Sequence, residues 1–112
     1  MTYKRFEVVR VPFPFSDKDA SKNRPALVLS DEGAFNAPAG HSVMAMITSE
    51  AHSAWPLDCA LLNLQVAGLP APSKVRFKLF TLDHRLVHGR LGQLDAEDAG
   101  RVQLALDRLL GV

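Results

Sequence analysis

Cysteine occurs once in the 112 residues, at Cys59, which excludes an internal disulfide framework and any zinc site built from several cysteines. Long apolar runs are missing too, and none approaches the ~18–20 residues of a membrane span. The opening Met1-Thr2-Tyr3-Lys4-Arg5-Phe6-Glu7 lacks the apolar stretch and small-residue cleavage site of a secretory signal, so a cytoplasmic protein without a membrane partner is expected. No glycine-rich phosphate loop of either common type is present, and no nucleotide or other cofactor is expected. His41, His52, His84 and His88 form no helical i, i+4 pair with a neighbouring glutamate. His84 and His88 are four apart, but in a strand-and-turn segment that spacing does not share a face. The histidines therefore read as surface residues and no metal site is expected. Cys59 has no nucleophile signature and reads as a small buried hydrophobe. Ser30, Ser49 and Ser53 lack the glycines of a nucleophile elbow, which leaves a hydrolase triad unsupported.

Net charge is small as well: 13 Lys and Arg oppose 12 Asp and Glu, giving +1. That excludes a protein that coats nucleic acid indiscriminately, because such affinity comes from many phosphate contacts. The distribution is uneven, however. Residues 1–30 carry a surplus of three basic side chains and residues 72–92 a surplus of four. Residues 31–71 hold four acidic and no basic side chains, and residues 93–112 have a surplus of two acidic ones. If the two basic segments fold side by side they form a local basic surface that the total hides. Solvated charges with no partner are the plain alternative.

What is present suits one small folded unit spanning residues 1–112. Domains usually run about 100–200 residues, and a chain of this length buries somewhat over ~60% of its unfolded surface, enough for one core. Phe6 to Val11 alternates as a strand, with Phe6 and Val8 facing one way and Glu7, Val9 and Val11 the other. Pro12 to Phe15 ends it, and Ser16 to Asn23 is a polar, turn-rich loop. Arg24 to Ser30 is nearly all apolar, as for a strand buried on both faces. Asp31 to His41 reads as a connection, Ser42 to Thr48 as a third strand and Leu57 to Leu62 as a short fourth. Lys74 to Phe77 and Leu79 to Leu82 follow, and Leu86 to Leu94 closes the set, with Gly89 and Gly92 marking a bulge or bend.

The clearest helix ends the chain. Asp95 suits its N-cap, Glu97 and Asp98 make the first turn acidic, and Gly111 stands where a C′ glycine would. Val102, Ala105, Leu106, Leu109 and Leu110 form an apolar stripe expected to pack on the barrel. The fold class is mostly β (α+β), a small barrel or sandwich with a C-terminal helix.

Two motifs go further. Val11-Pro12-Phe13-Pro14-Phe15, then Arg24-Pro25-Ala26-Leu27-Val28-Leu29-Ser30 after a polar loop, resemble the opening of the MazF/PemK family of bacterial toxins. Ile47-Thr48-Ser49, Trp55-Pro56, Pro72-Ser73-Lys74-Val75-Arg76, Leu79-Phe80-Thr81-Leu82-Asp83 and Leu91-Gly92-Gln93-Leu94 continue the resemblance in order, from Phe6 to Leu110. The resemblance implies a small SH3-like barrel of the CcdB/Kid/MazF type. It also implies the toxin of a type II toxin–antitoxin pair, a metal-independent endoribonuclease cutting single-stranded RNA. A two-fold homodimer is implied, with RNA in the groove between subunits. The same resemblance implies an antitoxin whose acidic, disordered segment fills that groove, with DNA reached only through the antitoxin.

By the same resemblance the catalytic arginine falls on Arg24, the catalytic threonine on Thr48, and an RNA contact on Ser49. Lys74 and Arg76 resemble positions lining the RNA groove, and Lys22, Asn23 and Phe15 are expected to bind RNA as well, the first two within the Ser16–Asn23 loop that would set sequence preference. The chemistry is coherent. Attack by RNA's own 2′-hydroxyl needs an aligned phosphate and stabilisation of a crowded, negative phosphorane. A planar guanidinium offers bidentate donors to the non-bridging oxygens, which lysine does not reproduce. Thr48 would hydrogen-bond the phosphate or position the 2′-hydroxyl. No general base is assigned, since arginine rarely deprotonates.

Ordinary readings stand beside these. Arg24 could simply start a strand, Thr48 is a good strand residue, and Lys74 and Arg76 suit an exposed basic strand. Phe13 and Phe15 fit base stacking or core and dimer packing, and Trp55 fits an interface or a lid on the core. The family usually has Gly-Asp where this chain has Phe6-Glu7. Some members place an acidic residue shortly after the position of Arg76, where Phe77-Lys78 stand here. That departure motivates one alternative, a non-catalytic toxin on the same barrel, gyrase-poison-like or an inactive paralogue, and the near-neutral charge motivates another, a generic SH3-like binding module.

Overall fold

The computed structural model describes residues 2–12 and 22–112. The proposed base-stacking residues Phe13 and Phe15 and most of the variable loop lie outside the described residues. Six strands, β1 (Glu7–Pro12), β2 (Asn23–Val28), β3 (His41–Ser49), β4 (Cys59–Ala60), β5 (Ser73–Asp83) and β6 (Gly89–Gln93), form one antiparallel sheet in the order β4-β5-β3-β2-β1-β6. The sheet curls into a half barrel, the SH3-like architecture expected, with the C-terminal helix α3 (Ala96–Leu110) beside it. The stretch 31–41, read from sequence as a connection, carries a helical turn over Glu32–Asn36 that runs into α1 (Ala37–Ala39), and a further short helix, α2 (Leu64–Ala67), follows β4. Among the described residues, no helix is long and apolar enough to cross a membrane.

Strand β2 lies in the middle of the sheet, and its apolar run is buried on both faces. Leu27 and Leu29 join Val8, Ala45, Ile47, Val75, Phe77, Leu94 and Val102 in one cluster, while Ala26 and Val28 join Tyr3, Val9, Val11 and Met44 in another. The alternation follows from the two-residue repeat of a strand, and each fully buried Leu or Val contributes about 2 kcal/mol of transfer free energy. Cys59 belongs to the first cluster, and burial pushes its thiol pKa up, as suits an inert apolar residue.

Several boundaries differ from the sequence reading. The two runs 74–77 and 79–82 are one strand, because β5 carries a bulge: Ala45 pairs with Leu79 and Met46 with Arg76, leaving Phe77 and Lys78 without partners on β3. The stretch 57–62 contributes only the two-residue β4. The stretch 86–94 starts later than expected, since His84–Leu86 is a 3-10 turn and β6 begins at Gly89. The expected bulge there is present, with Val8 opposite Gly92 and Val9 opposite Arg90. Gly92 packs directly on the end of α2: a Cβ would sit 2.4 Å from the Val66 carbonyl oxygen. Gly68 returns the contact with φ +73°, where a Cβ would lie 2.1 Å from the Leu91 carbonyl oxygen.

Helix α3 starts as expected, with the Asp95 carboxylate accepting the Asp98 N–H at 2.9 Å. Asp98 is more than a favourable charge at the helix start. It is fully buried, accepts the N–H groups of Leu62 at 3.1 Å and Asn63 at 2.9 Å, and pairs with Arg101 at 3.3 Å. The carboxylate thereby holds the turn before α2 against α3. Only part of the apolar stripe packs: Val102, Ala105 and Leu106 reach the core, but Leu109 and Leu110 are exposed as the helix runs past the sheet.

Replacing Asp98 with Ala orphans two backbone donors and should lower stability by about 3 kcal/mol in urea unfolding. Glu97→Ala, on the exposed side of the same turn, should cost about 0.5 kcal/mol or less in the same measurement. Gly68→Ala should cost about 2–3 kcal/mol, because positive φ and backbone contact both oppose the methyl group.

Candidate active site

The β2–β3 ladder runs from Val28↔Met44 to Ala26↔Met46 and stops. The next residue of β2 is Pro25, which has no N–H with which to extend a ladder. Beyond that point β3 keeps pairing with β5 through Ser49↔Ser73, so the two central strands part. Continuing the lost register two residues sets Arg24 opposite Thr48, on the face shared with Ala26 and Met46. The parting opens a cleft of about 260 Å³ lined by Arg24, Pro25, Ile47, Thr48, Ser49 and His52, with residues 69–73 as the far wall.

Arg24 is half-buried in this cleft and has no hydrogen-bond or ion-pair partner among the described residues. Most other arginines are engaged: Arg5 on the Leu29 carbonyl, Arg10 on the His88 carbonyl, Arg76 on Asp58, Arg85 on Asp83, Arg90 on Glu7 and Arg101 on Asp98. A guanidinium with free donors in a concave site is suited to an oxyanion from outside the chain. Thr48 Oγ1 lies 2.5 Å from His52 Nδ1. Ser49 shapes the turn that brings His52 back: its carbonyl accepts the His52 N–H at 3.1 Å and its hydroxyl the Ala51 N–H at 3.2 Å.

The structure thus brings Arg24, Thr48 and Ser49 into one cleft lining, which does not include Lys22, Asn23, Lys74 or Arg76, while Phe15 lies outside the described residues. Lys22 is exposed ahead of β2, and Asn23 Oδ1 sits 2.6 Å from His88 Nδ1. Lys74 is directly opposite Thr48 in register, yet its side chain is 9% exposed and its ammonium lies 3.1 Å from Asp58. Arg76 grips the same carboxylate through two nitrogens, at 2.9 and 3.2 Å. Neither lines the cleft. Trp55 is exposed and offers its ring to the Lys78 ammonium, 4.6 Å from the centroid, and to Arg76 at 5.8 Å. Phe77 is buried in the core and Lys78 stacks on Trp55, so the stretch where some family members place an acidic residue carries packing and a cation instead. The surplus charge of residues 72–92 is therefore largely engaged within the chain.

His52 and Asp58 are the residues that sequence reasoning missed. The four-residue step from Thr48 to His52 matters only because a turn folds it back, and no helical or strand period announces that. Asp58 anchors the loop behind the cleft. Pro56 and Leu57, the latter at φ 65°, form a tight turn closed by the Asp58 N–H on the Trp55 carbonyl at 3.1 Å. Burial raises the Asp58 pKa, but the hydrogen bonds from Arg76, Lys74 and the Trp55 N–H outweigh it and hold the carboxyl below its usual range. Among the described residues, no three His, Cys, Asp or Glu side chains gather as a metal-ligating group.

Because the folded pKa of Asp58 is depressed, its contribution to stability is present at neutral pH and is lost as pH falls through and below the ordinary carboxylate range. Asp58→Asn should lower stability at pH 7 by about 2 kcal/mol, by leaving two nearly buried cations without a counter-charge. The gap between the variant and the parent should shrink as denaturant titrations are repeated at progressively more acid pH.

The family described as PemK-like, MazF-like toxin of type II toxin–antitoxin system matches residues 4–110. No curated protein matches the chain. Among solved structures, the MazE-MazF complex from Deinococcus radiodurans is 23% identical, covers 100% of this chain and 98% of its own, and superposes with a TM-score of 0.75. An endoribonuclease in complex with its cognate antitoxin from a mycobacterial species is 18% identical, with coverage of 98% and 96% and a TM-score of 0.77. The Mycobacterium tuberculosis toxin MazF-mt6 is 19% identical, with coverage of 95% and 97% and a TM-score of 0.73. These likenesses establish the shared fold, and the family match over residues 4–110 makes the chain a member of the PemK-like, MazF-like toxins of type II toxin–antitoxin systems.

Proposed function

We propose that the chain is an endoribonuclease that cleaves single-stranded RNA through attack of the 2′-hydroxyl, without a metal ion, leaving 2′,3′-cyclic phosphate and 5′-hydroxyl ends. The observation that carries the reading is the Arg24 guanidinium, without a partner among the described residues, in the same cleft as Thr48. Arg24 would bind the non-bridging oxygens and stabilise the phosphorane, and Thr48 would orient the attacking hydroxyl. Such a preorganised donor is worth about 10²–10³ in rate. Ser49 would act by shaping the rim of the cleft. The mycobacterial relative described as an endoribonuclease supports the activity, and relatives solved with antitoxins support an antitoxin as partner. An acidic antitoxin segment suits the cleft because it would meet the same guanidinium as RNA does. A homodimer acting in the cytoplasm completes the reading.

Incubation of the purified protein with single-stranded RNAs in EDTA should release fragments with cyclic phosphate ends. Arg24→Ala should reduce the rate by at least ~10²-fold while unfolding like the parent, and Arg24→Lys should recover little of the loss. Growth inhibition with every RNA intact would instead favour the non-catalytic toxin, which the packing of Phe77 and Lys78 keeps in view.

A further inference from the structure

His52 is an exposed residue on the rim of the Arg24 cleft, and both its ring and its backbone are held there. The Thr48 and His52 side chains meet at 2.5 Å in the Arg24 cleft. The His52 backbone is held from two strands: its N–H bonds the Ser49 carbonyl at 3.1 Å, and its carbonyl accepts the Lys74 ammonium at 2.7 Å. Lys74 is fixed in turn by Asp58, and it packs from β5. The charged groups near His52 are Arg24 from β2, which lines the same cleft, and Lys74 from β5, which meets the His52 backbone carbonyl with Asp58 behind it. Imidazole is the side chain that exchanges protons near neutral pH. A threonine hydroxyl has one donor and two acceptor lone pairs, so Thr48 can donate to Nδ1 while accepting from a second hydroxyl.

We propose that His52 accepts the substrate's 2′-hydroxyl proton, relayed through the Thr48 hydroxyl, and so supplies the base of the reaction. The proposal rests on the endoribonuclease reading. A lone pair on the 2′-oxygen forms the bond to phosphorus as its proton passes to Thr48 Oγ1 and the Thr48 proton passes to His52 Nδ1. The P–O5′ bond breaks, its electron pair stays on the 5′-oxygen, and that oxygen takes a proton from water. The hydroxide left behind takes the proton from His52 and restores the neutral ring. Arg24 faces the charge that accumulates on the non-bridging oxygens.

The test is the pH dependence of kcat/KM for the full chain and its variants on one RNA. His52→Ala should lower kcat/KM by about 10²–10⁴-fold, mostly in kcat, and remove the acid limb of the profile. His52→Asn should not recover the rate, because an amide can fill the hydrogen bond and cannot take the proton. Thr48→Val should lose comparably, and the double variant should lose no more than the worse single one, as for groups acting as a unit. Binding of an RNA with a 2′-deoxy sugar at the cleavage position should weaken far less in His52→Ala than kcat/KM does. If the parent cleaves and Arg24→Ala does not, a parent-like rate and pH profile in His52→Ala, or full recovery in His52→Asn, overturns this proposal alone. No cleavage by the parent on any RNA overturns the endoribonuclease reading and this proposal with it.

Discussion

Pairing between β2 and β3 ends at Ala26↔Met46, and the arrangement of the cleft depends on where it ends. Two constraints meet there. The apolar run after Pro25 is buried on both faces and pulls β2 into the middle of the sheet, while Pro25 has no N–H to carry the ladder further. Arg24 is then left near the start of β2, paired with Val11 of β1 on one side and free of the β3 ladder on the other. A longer ladder would close the fork and leave the guanidinium flat on the sheet. A weaker hydrophobic run would leave the arginine in solvent with no defined direction.

Around that fork the chain uses its charges to hold loops in place. Asp58 collects Lys74 and Arg76, Asp98 collects the turn before α2, and Glu7 and Asp83 take Arg90 and Arg85. These contacts are made across long sequence separations or at turns, and they leave Arg24 as a cleft cation without a partner among the described residues. That contrast gives the site its electrostatic character more than the net charge does. Opposite charges close to one another cancel at a distance, whereas a lone guanidinium in a concave site keeps its field.

Much of the architecture was legible in the residues. The two-residue alternation of β1, the continuous burial of β2, the Asp95 cap, the Gly111 stop and the glycine-marked bulge in β6 are local features with local causes. Arg24 and Thr48 could be picked out by resemblance, and both line one cleft. The bulge at Phe77–Lys78 was not legible, since a two-residue offset preserves the inward and outward alternation of the strand. The stripe on α3 promised more packing than exists, because periodicity shows which face is apolar and says nothing of where the sheet beneath it ends.

Periodicity, caps and turn residues act over a few neighbours, so the sequence by itself determined the strands, the closing helix and the family resemblance. Which charges cancel and which stay free is a question of distances between residues far apart in the chain, and only the tertiary structure decided it. Lys74 and Arg76 read like Arg24 along the chain, yet Asp58 engages the first two and nothing described engages the third. His52 likewise meets Thr48 only through the turn at Ser49. The physical reason is that a Coulomb or hydrogen-bond partner is chosen by position in space, which the chain settles only when it folds.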